Sequence, residues 1–245
     1  MQEITTSNPF SRTAMLMGHD AVARLARCRV AVFGVGGVGG YVVEVLARSG
    51  VGALDLFDPD VVSVTNLNRQ LVALHSTLGR HKVDVAAERV RDINPACTVT
   101  ARKMFFLPAN AHEVDFTRYD YVVDCIDTVS AKMELVRCCH SLGVPIICSM
   151  GAANKMDPAA FRVADIAQTT MDPLARLMRK KLRKEGIGHF KCVFSEEQPR
   201  KPLATEKGDN GGRPVPASNA FVPAAAGIVL GGAVAQDLAE GRCLG

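Results

Sequence analysis

The sequence predicts an α/β protein built on a doubly wound, mostly parallel sheet with helices on both faces. Three observations carry that expectation. Apolar β-rich runs alternate with helix-period segments over the first 150 residues, a glycine-rich turn joins the first run to the first helical segment, and a long apolar segment lies near the C-terminus. A β-α-β-α alternation sets strands side by side in parallel and leaves the crossover helices on the two faces.

The elements follow in chain order. Arg29 to Phe33 is a short β-rich run, and Tyr41 to Arg48 continues as an amphipathic helix. Ala53 to Phe57 is the next strand. His81 to Ile93 has helical spacing, with Val83, Ala87 and Val90 on one face, and it ends before Asn94-Pro95 because a residue preceding proline avoids the helical region. Thr98 to Ala101 and Tyr121 to Cys125 read as strands, Ser130 to Leu142 as a helix stopped by Gly143, and Pro145 to Cys148 as another strand. The second half differs in texture. Asp172-Pro173 is a helix start, Asp as N-cap and Pro in the first turn. The helix behind it sets Leu174, Leu177, Met178 and Leu182 against Arg176, Arg179, Lys180, Arg183 and Lys184. Lys191 to Ser195 reads as a strand, 198–217 as a long mobile loop rich in Pro, Gly and charge, and Asn219 to Leu238 as an apolar helix that closes the core. A single domain over 1–245 is expected, with a nucleotide-binding half at 1–150 and a substrate and dimer half at 151–245 that completes the sheet and core.

Bulk properties bound the function. With 48% hydrophobic and 22% charged residues the 245-residue chain has an ordinary globular composition. The start, MQEITTSNPF, lacks a basic region followed by an apolar run, so no secretory signal is expected. The longest apolar stretch, Phe221 to Ala235, is 15 residues, short of the roughly 18–20 that span a bilayer. No membrane partner is expected, and the compartment is read as cytoplasmic. The 8 cysteines form no C-x-x-C pair, which argues against a structural zinc site, and most sit in apolar surroundings suited to reduced core thiols.

Gly34-Val35-Gly36-Gly37-Val38-Gly39 fits G-x-G-x-x-G directly after a strand and opening a helix, which makes the sheet Rossmann-like. Glycines there let the backbone turn tightly and bring free N–H groups and the helix dipole to a phosphate. Asp58 ends the next strand about 20 residues on, where a carboxylate can accept ribose hydroxyls. These features alone would fit a dinucleotide dehydrogenase. The run Thr65-Asn66-Leu67-Asn68-Arg69-Gln70, followed by Gly79-Arg80-His81-Lys82, turns the reading towards ATP. It puts Arg69 and Lys82 within one crossover of Asp58, and cations are needed where charge builds as pyrophosphate leaves, whereas hydride transfer has no such need. Asp124-Cys125-Ile126-Asp127 ends another strand beside the expected switch point, where a carboxylate can hold Mg²⁺.

These pieces (the G-V-G-G-V-G loop, Asp58, N-L-N-R-Q, Lys82 and D-x-x-D ending at Asp127) resemble the ubiquitin-activating-type, or ThiF-type, adenylating family. The resemblance spans residues 12–150 and implies activation of a carboxylate as its acyl-adenylate. It implies an ATP site lined by Gly34, Gly36, Gly37, Gly39, Asp58, Asn66, Asn68, Arg69, Gln70, Lys82 and Asp127, with Mg²⁺ on Asp127. Arg69, Lys82 and Asp127 would act in catalysis together with Arg12, which the resemblance places on the phosphates of the other subunit of a homodimer.

Within that family, Asp172-Pro173-Leu174-Ala175-Arg176, the basic helix and Cys192-Val193-Phe194-Ser195-Glu196 resemble the branch that dehydrates threonylcarbamoyladenosine in tRNA. Residues 176–213 hold 11 Lys+Arg against 5 Asp+Glu, a basic strip of the kind a phosphate backbone selects, although a solvated helix face is the bland explanation of any charge run. The resemblance implies that a threonyl carboxylate beside the tRNA anticodon attacks ATP and that the neighbouring carbamoyl group then closes a ring. No enzyme nucleophile is needed, because the attacking group already sits on the substrate. Two rivals stay open. One is adenylation of a ubiquitin-like sulfur-carrier protein, with Cys192 or Cys243 as a relay. The other is a nucleotide-binding scaffold for a sulfur-transfer partner, without turnover of its own.

Overall fold

The computed structural model describes residues 8–204 and 215–242. Two short helices open the chain, α1 (Ser11–Met17) and α2 (His19–Leu25), separated by Gly18. Then follow β1 (Arg29–Phe33), α3 (Gly39–Ser49), β2 (Ala53–Phe57), α4 (Lys82–Ile93), β3 (Thr98–Arg102), β4 (Tyr121–Asp124), α5 (Val129–Leu142) and β5 (Ile146–Ser149). The second half adds β6 (Phe161–Asp165), α6 (Pro173–Arg183), β7 (Lys191–Ser195) and α7 (Val222–Glu240).

The strands form a seven-stranded sheet in the order β3-β2-β1-β4-β5-β7-β6. All neighbours are parallel except β6, which runs antiparallel to β7 at the edge. The chain winds outward from β1 in one direction and from β4 in the other, so the switch point lies between the carboxyl ends of these two strands. Strand period sorts the core. In β1, Val30 and Val32 face the cluster built with α2, α3, α4 and α7, whereas Ala31 and Phe33 face the cluster built with α5. A third cluster fills the space between α5, α6 and β7. Helices therefore cover both faces, and strands buried on both sides read as continuous apolar runs.

Expected strand and helix cores sit where the sequence places them, with ends differing by up to three residues. Four findings go beyond or against the expectation. Helices α1 and α2 and strand β6 carry no clear sequence signal. Leu177 is exposed rather than on the apolar side of α6, whose buried residues are Ala175, Met178 and Leu182. The 198–217 segment lies partly outside the described residues, and its described ends have no helix or strand. Helix α7, at 19 residues, is long and apolar enough by length and composition to cross a bilayer, unlike the 15-residue stretch read from the sequence. It is packed into the core instead. A Cβ on Gly227 would collide with the Val38 carbonyl oxygen, and one on Gly231 would stand 2.9 Å from Val45 Cβ, so the small residues bring α7 close onto α3.

Candidate active site

The carboxyl ends of β1, β2 and β4 meet at a cavity of about 550 Å³. The loop after β1 makes its base. Gly34 has φ +88°, and a Cβ there would lie 2.8 Å from the Cys125 carbonyl oxygen, so only glycine fits where β1 and β4 leave the sheet together. Gly34 N donates to Phe57 O at 2.7 Å and Cys125 N to Phe33 O at 2.8 Å, which fixes the ends of β1, β2 and β4 around the loop. Gly34, Gly36 and Gly37 line the cavity. Gly39 does not: it is buried at the start of α3, where a Cβ would collide with the Gly34 carbonyl oxygen, so it lets the loop close rather than touching a ligand. At the start of α3 the Gly40 amide donates to the Gly36 carbonyl at 3.0 Å and the Tyr41 and Val42 amides to the Val38 carbonyl at 3.1 and 3.2 Å, so the helix offers an anion its dipole rather than these donors.

Asp58 clamps this loop. Its Oδ2 accepts the Val35 amide at 2.7 Å and its Oδ1 accepts the Asp60 amide at 2.9 Å. Each oxygen can accept a further hydrogen bond, and Asp58 lines the cavity. Burial pushes the carboxyl above its ordinary value, against the Lys82 ammonium and the two amides, which favour the charge. Lys82 arrives from α4 because a short antiparallel bridge, Val61 with His81, folds the chain back onto Asp58–Val62. Its Nζ stands 2.6 Å from Asp60 Oδ2 and 3.9 Å from Asp58 Oδ1.

The turn at 63–70 contributes the next wall. Asn66 is buried, and its Oδ1 accepts the Ser63 amide at 3.0 Å, closing a 3₁₀ turn. Arg69 donates from Nη1 to Thr65 O at 2.7 Å and to Asn68 Oδ1 at 2.9 Å, which aims the guanidinium along the cavity; burial lowers its pKa. Gln70 lines the cavity with a buried Oε1 that has no partner among the described residues. An acceptor left open in this way fits a polar ligand. Asn68 does not line the cavity; it accepts from Arg69 and donates Nδ2 to Ser218 O at 3.2 Å. Met104 and Phe105, with the stacked Phe33 and Phe57 and the edge-on Phe106, supply an apolar side that suits a purine ring.

Asp127 sits exposed at the opposite lip. It does not cap α5, whose N-cap is Thr128, and among the described residues its side chain accepts a single hydrogen bond, from Thr128 Oγ1 at 3.4 Å. The carboxylate is thus unspent. Its turn is held from below by a fully buried ion pair, Asp124 with Lys132 at 2.8 Å. Asp124 Oδ1 accepts the Ile126 amide at 3.0 Å, and Lys132 donates to the Ile126 carbonyl at 3.0 Å. Burial works against the Lys132 charge, and Asp124 together with neighbouring thiols outweighs it, so the ammonium is held above its ordinary pKa. Among the described residues no cluster of three or more His, Cys, Asp or Glu forms a metal cage.

The far wall comes from the second half of the chain, and the sequence motifs did not point to it. Ser149 ends β5, Met150 and Gly151-Ala152-Ala153 follow it, Leu174 lies in the first turn of α6, and Val215, Pro216 and Ser218 precede α7. One available signal was position, since ligands in such sheets bind beyond the carboxyl ends of strands. Behind this wall Arg176, Lys180, Lys181, Arg183 and Lys184 are exposed on α6, and none makes an ion pair among the described residues. Arg179 differs. It is half-buried, and its Nη1 donates to the Ile166 carbonyl at 3.2 Å, to the Thr169 carbonyl at 3.0 Å and to the Thr169 hydroxyl. Lys207 and Arg213 of the basic strip lie outside the described residues. Arg12 is exposed on α1, away from the cavity of its own chain. Cys192 is fully buried in β7 with its thiol pushed up to about 12, chiefly by burial, which suits packing and not relay chemistry. Cys243 lies outside the described residues.

The comparisons agree with this geometry. The ThiF family model matches residues 10–236. The tRNA threonylcarbamoyladenosine dehydratase of Bacillus subtilis is 45% identical over 238 residues, 94% of either chain. That of Escherichia coli is 40% identical over 196 residues, 77% of this chain and 73% of its own. The crystal structure of the E. coli enzyme in complex with ATP superposes with a TM-score of 0.87 at 35% identity, covering 99% of this chain and 100% of that one. An AMP complex of the same enzyme matches with a TM-score of 0.87. With its sheet order, its loop and clamp at the switch point and these relatives, the chain belongs to the ThiF family, in the tRNA threonylcarbamoyladenosine dehydratase branch.

Proposed function

We propose that the protein uses ATP to activate the threonyl carboxylate of threonylcarbamoyladenosine in tRNA and closes it to the cyclic form. The observation that carries this reading is that one cavity is shared by the nucleotide loop and by the first turn of the unpaired basic helix α6. The nucleotide end is supported by the Gly34–Gly37 backbone, the Asp58–Lys82 pair, the open Gln70 acceptor and the aromatic side. Asn66 and Arg69 complete it, with Asn68 and Gly39 acting indirectly by holding Arg69 and the loop.

The substrate carboxylate oxygen bonds to the α-phosphorus while the bond to pyrophosphate breaks. The neighbouring carbamoyl group then closes the ring as AMP leaves with a carboxyl oxygen, so the base loses one water. Arg69 and Lys82 would meet the charge gathering on the phosphates, which is where fixed cations lower a barrier. Asp127, exposed at the lip, would hold Mg²⁺, which would supply a Lewis acid to draw charge off the phosphates. Tethering of both reacting groups on one nucleotide removes the need for an enzyme nucleophile.

The RNA is assigned to the exposed cations of α6, with Arg179 left out. Homodimerisation is supported by α1: Met15 and Leu16, beside Arg12, are 69% and 87% exposed, an apolar surface suited to a second copy. Arg12 would then serve the partner's phosphates. A sulfur-transfer partner finds no support in Cys192. The test is pyrophosphate release with tRNA that carries threonylcarbamoyladenosine, with the same tRNA lacking it, and with a ubiquitin-like sulfur carrier. Release only with the first supports the proposal; release only with the carrier protein would replace it.

A further inference from the structure

The cap of α6 is joined to the cavity wall by a second fully buried ion pair. Asp172 Oδ1 accepts the Ala175 amide at 2.9 Å, and its Oδ2 lies 3.0 Å from Lys155 Nζ, both side chains being inaccessible to solvent. The same ammonium donates to the Gly151 carbonyl at 2.5 Å, and Gly151 is wall. A Cβ on Gly151 would stand 3.2 Å from Asp172 Oδ2, so wall and helix cap touch directly. On its other side, the Lys155 carbonyl accepts from Asn219 Nδ2 at 2.9 Å, and Asn219 Oδ1 accepts the Val222 amide at 2.8 Å where α7 begins. Pro223, one residue on, lies beside Gly37 of the phosphate loop, 3.2 Å from where a Cβ there would be. Lys155 thus stands where wall, basic helix and the start of α7 meet.

Stability alone gives little reason for this pair, because a buried ion pair replaced by apolar groups of similar volume is often neutral or more stable. What the pair supplies is a fixed distance. We propose that Lys155 is a positioning residue for the acceptor carboxylate: by tying Gly151 to the cap of α6, it sets the RNA-binding helix at the distance that delivers the carboxylate to ATP. The proposal rests on the dehydratase reading above. Attack needs reacting atoms at about 3–3.5 Å, and a misplacement of about 1 Å can cost on the order of 10²-fold.

Lys155→Met alone would strand a buried Asp172, so the decisive variant is Lys155→Met with Asp172→Asn. Asparagine keeps the N-cap acceptor, and the two changes remove both charges. Melting temperature, ATP binding by calorimetry, tRNA binding, and kcat and KM for tRNA-dependent pyrophosphate release are measured, with kcat normalised to ATP-binding sites. The expected result is a folded variant whose ATP and tRNA affinities stay within about 3-fold of wild type while kcat falls on the order of 10²-fold. An unchanged kcat overturns the proposal. So does failure of the double variant to fold, or loss of kcat in step with melting temperature and ATP sites, since the pair would then be a stability element. Wild-type protein without tRNA-dependent release would instead sink the dehydratase reading itself, and the proposal with it.

Discussion

The two walls of the cavity are built on opposite plans. The wall from the first 150 residues sets charged and amide side chains, Asp58, Lys82, Gln70 and Asp127, beside the aromatic side, and holds them by backbone donors and by the buried Asp124–Lys132 pair. The wall from the second half presents mainly small residues and apolar side chains, Gly151-Ala152-Ala153, Leu174 and Pro216, and carries its charge behind it on the exposed face of α6. A reaction that always handles the same triphosphate can afford a fixed constellation of charges. In the proposed reading, a wall that admits a tRNA would do better with room, and cations set back from the chemistry would hold a backbone while specifying nothing at the reacting atoms.

Changes on the charged wall should therefore be the costly ones. Lys82→Met leaves Asp58 buried beside the loop it clamps, and turnover should fall on the order of 10³-fold as phosphate charge goes unmet. Breaking a buried pair costs about 3–5 kcal/mol. Asp58 is already raised by burial, and losing Lys82 raises it further. A carboxyl raised in the folded state is fully accommodated below its unfolded value of 3.8 and becomes destabilising as pH climbs through the folded pKa. The variant's deficit in urea unfolding should consequently be small near pH 4 and full by pH 8; a deficit independent of pH would contradict the clamp.

Asp127→Ala comes next. Because Asp127 is exposed and caps nothing, the melting temperature should stay near wild type while turnover falls on the order of 10²–10³-fold. Near-normal activity at saturating Mg²⁺ would remove the metal assignment.

On the other wall the effects should be graded. Replacing Arg176, Lys180, Arg183 and Lys184 with Ala should weaken tRNA binding, leave ATP binding unchanged and flatten the salt dependence by roughly 0.7–0.9 of slope per lost contact. Arg179→Ala, tested alone, should act through folding, since it removes donors from the Ile166 and Thr169 oxygens. Equal effects of Arg179→Ala and Lys180→Ala on the salt slope would mean that burial does not divide the strip.

The smallest effect is expected at Cys192. The Cys192→Ala protein should turn over at the wild-type rate, and the native thiol should resist iodoacetamide at pH 8. Its pKa, raised from 9.0 to about 12, means the folded state keeps a proton that the unfolded chain releases, so its contribution to stability is intact below pH 9 and is lost as pH rises towards 12. Alkylation at neutral pH that stops turnover would reopen the relay.

How much of this was legible in the sequence follows the same division. Strands β1 and β2 were found to the residue because doubly buried strands are mainly apolar; the one charge inside β2, Asp55, is buried against Arg29 and Tyr119. The place of Gly34, Asp58, Lys82 and Asp127 on the cavity was legible because such sheets gather their loops at the carboxyl ends of the strands. Edge strand β6 was missed because Arg162 and Asp165 interrupt it and only one side is covered. Helices α1 and α2 are too short to show a period. Lys132 and Lys155 were missed for a different reason. A lysine reads as solvated until a carboxylate is known to face it, and only the fold brings Asp124 and Asp172 to them. Gly39 and Asn68 matched the motif, yet they serve the residues that line the cavity.

The central claim is that both walls serve one reaction, ATP-driven loss of water from threonylcarbamoyladenosine in tRNA. The most direct test incubates the purified protein with ATP, Mg²⁺ and tRNA bearing that nucleoside, then digests the tRNA under mild conditions and weighs its nucleosides. The account predicts a product lighter by one water, formed with one AMP and one pyrophosphate per ring, and absent without ATP or with the Asp127→Ala protein. An unchanged nucleoside alongside ATP turnover on a carrier protein would contradict it.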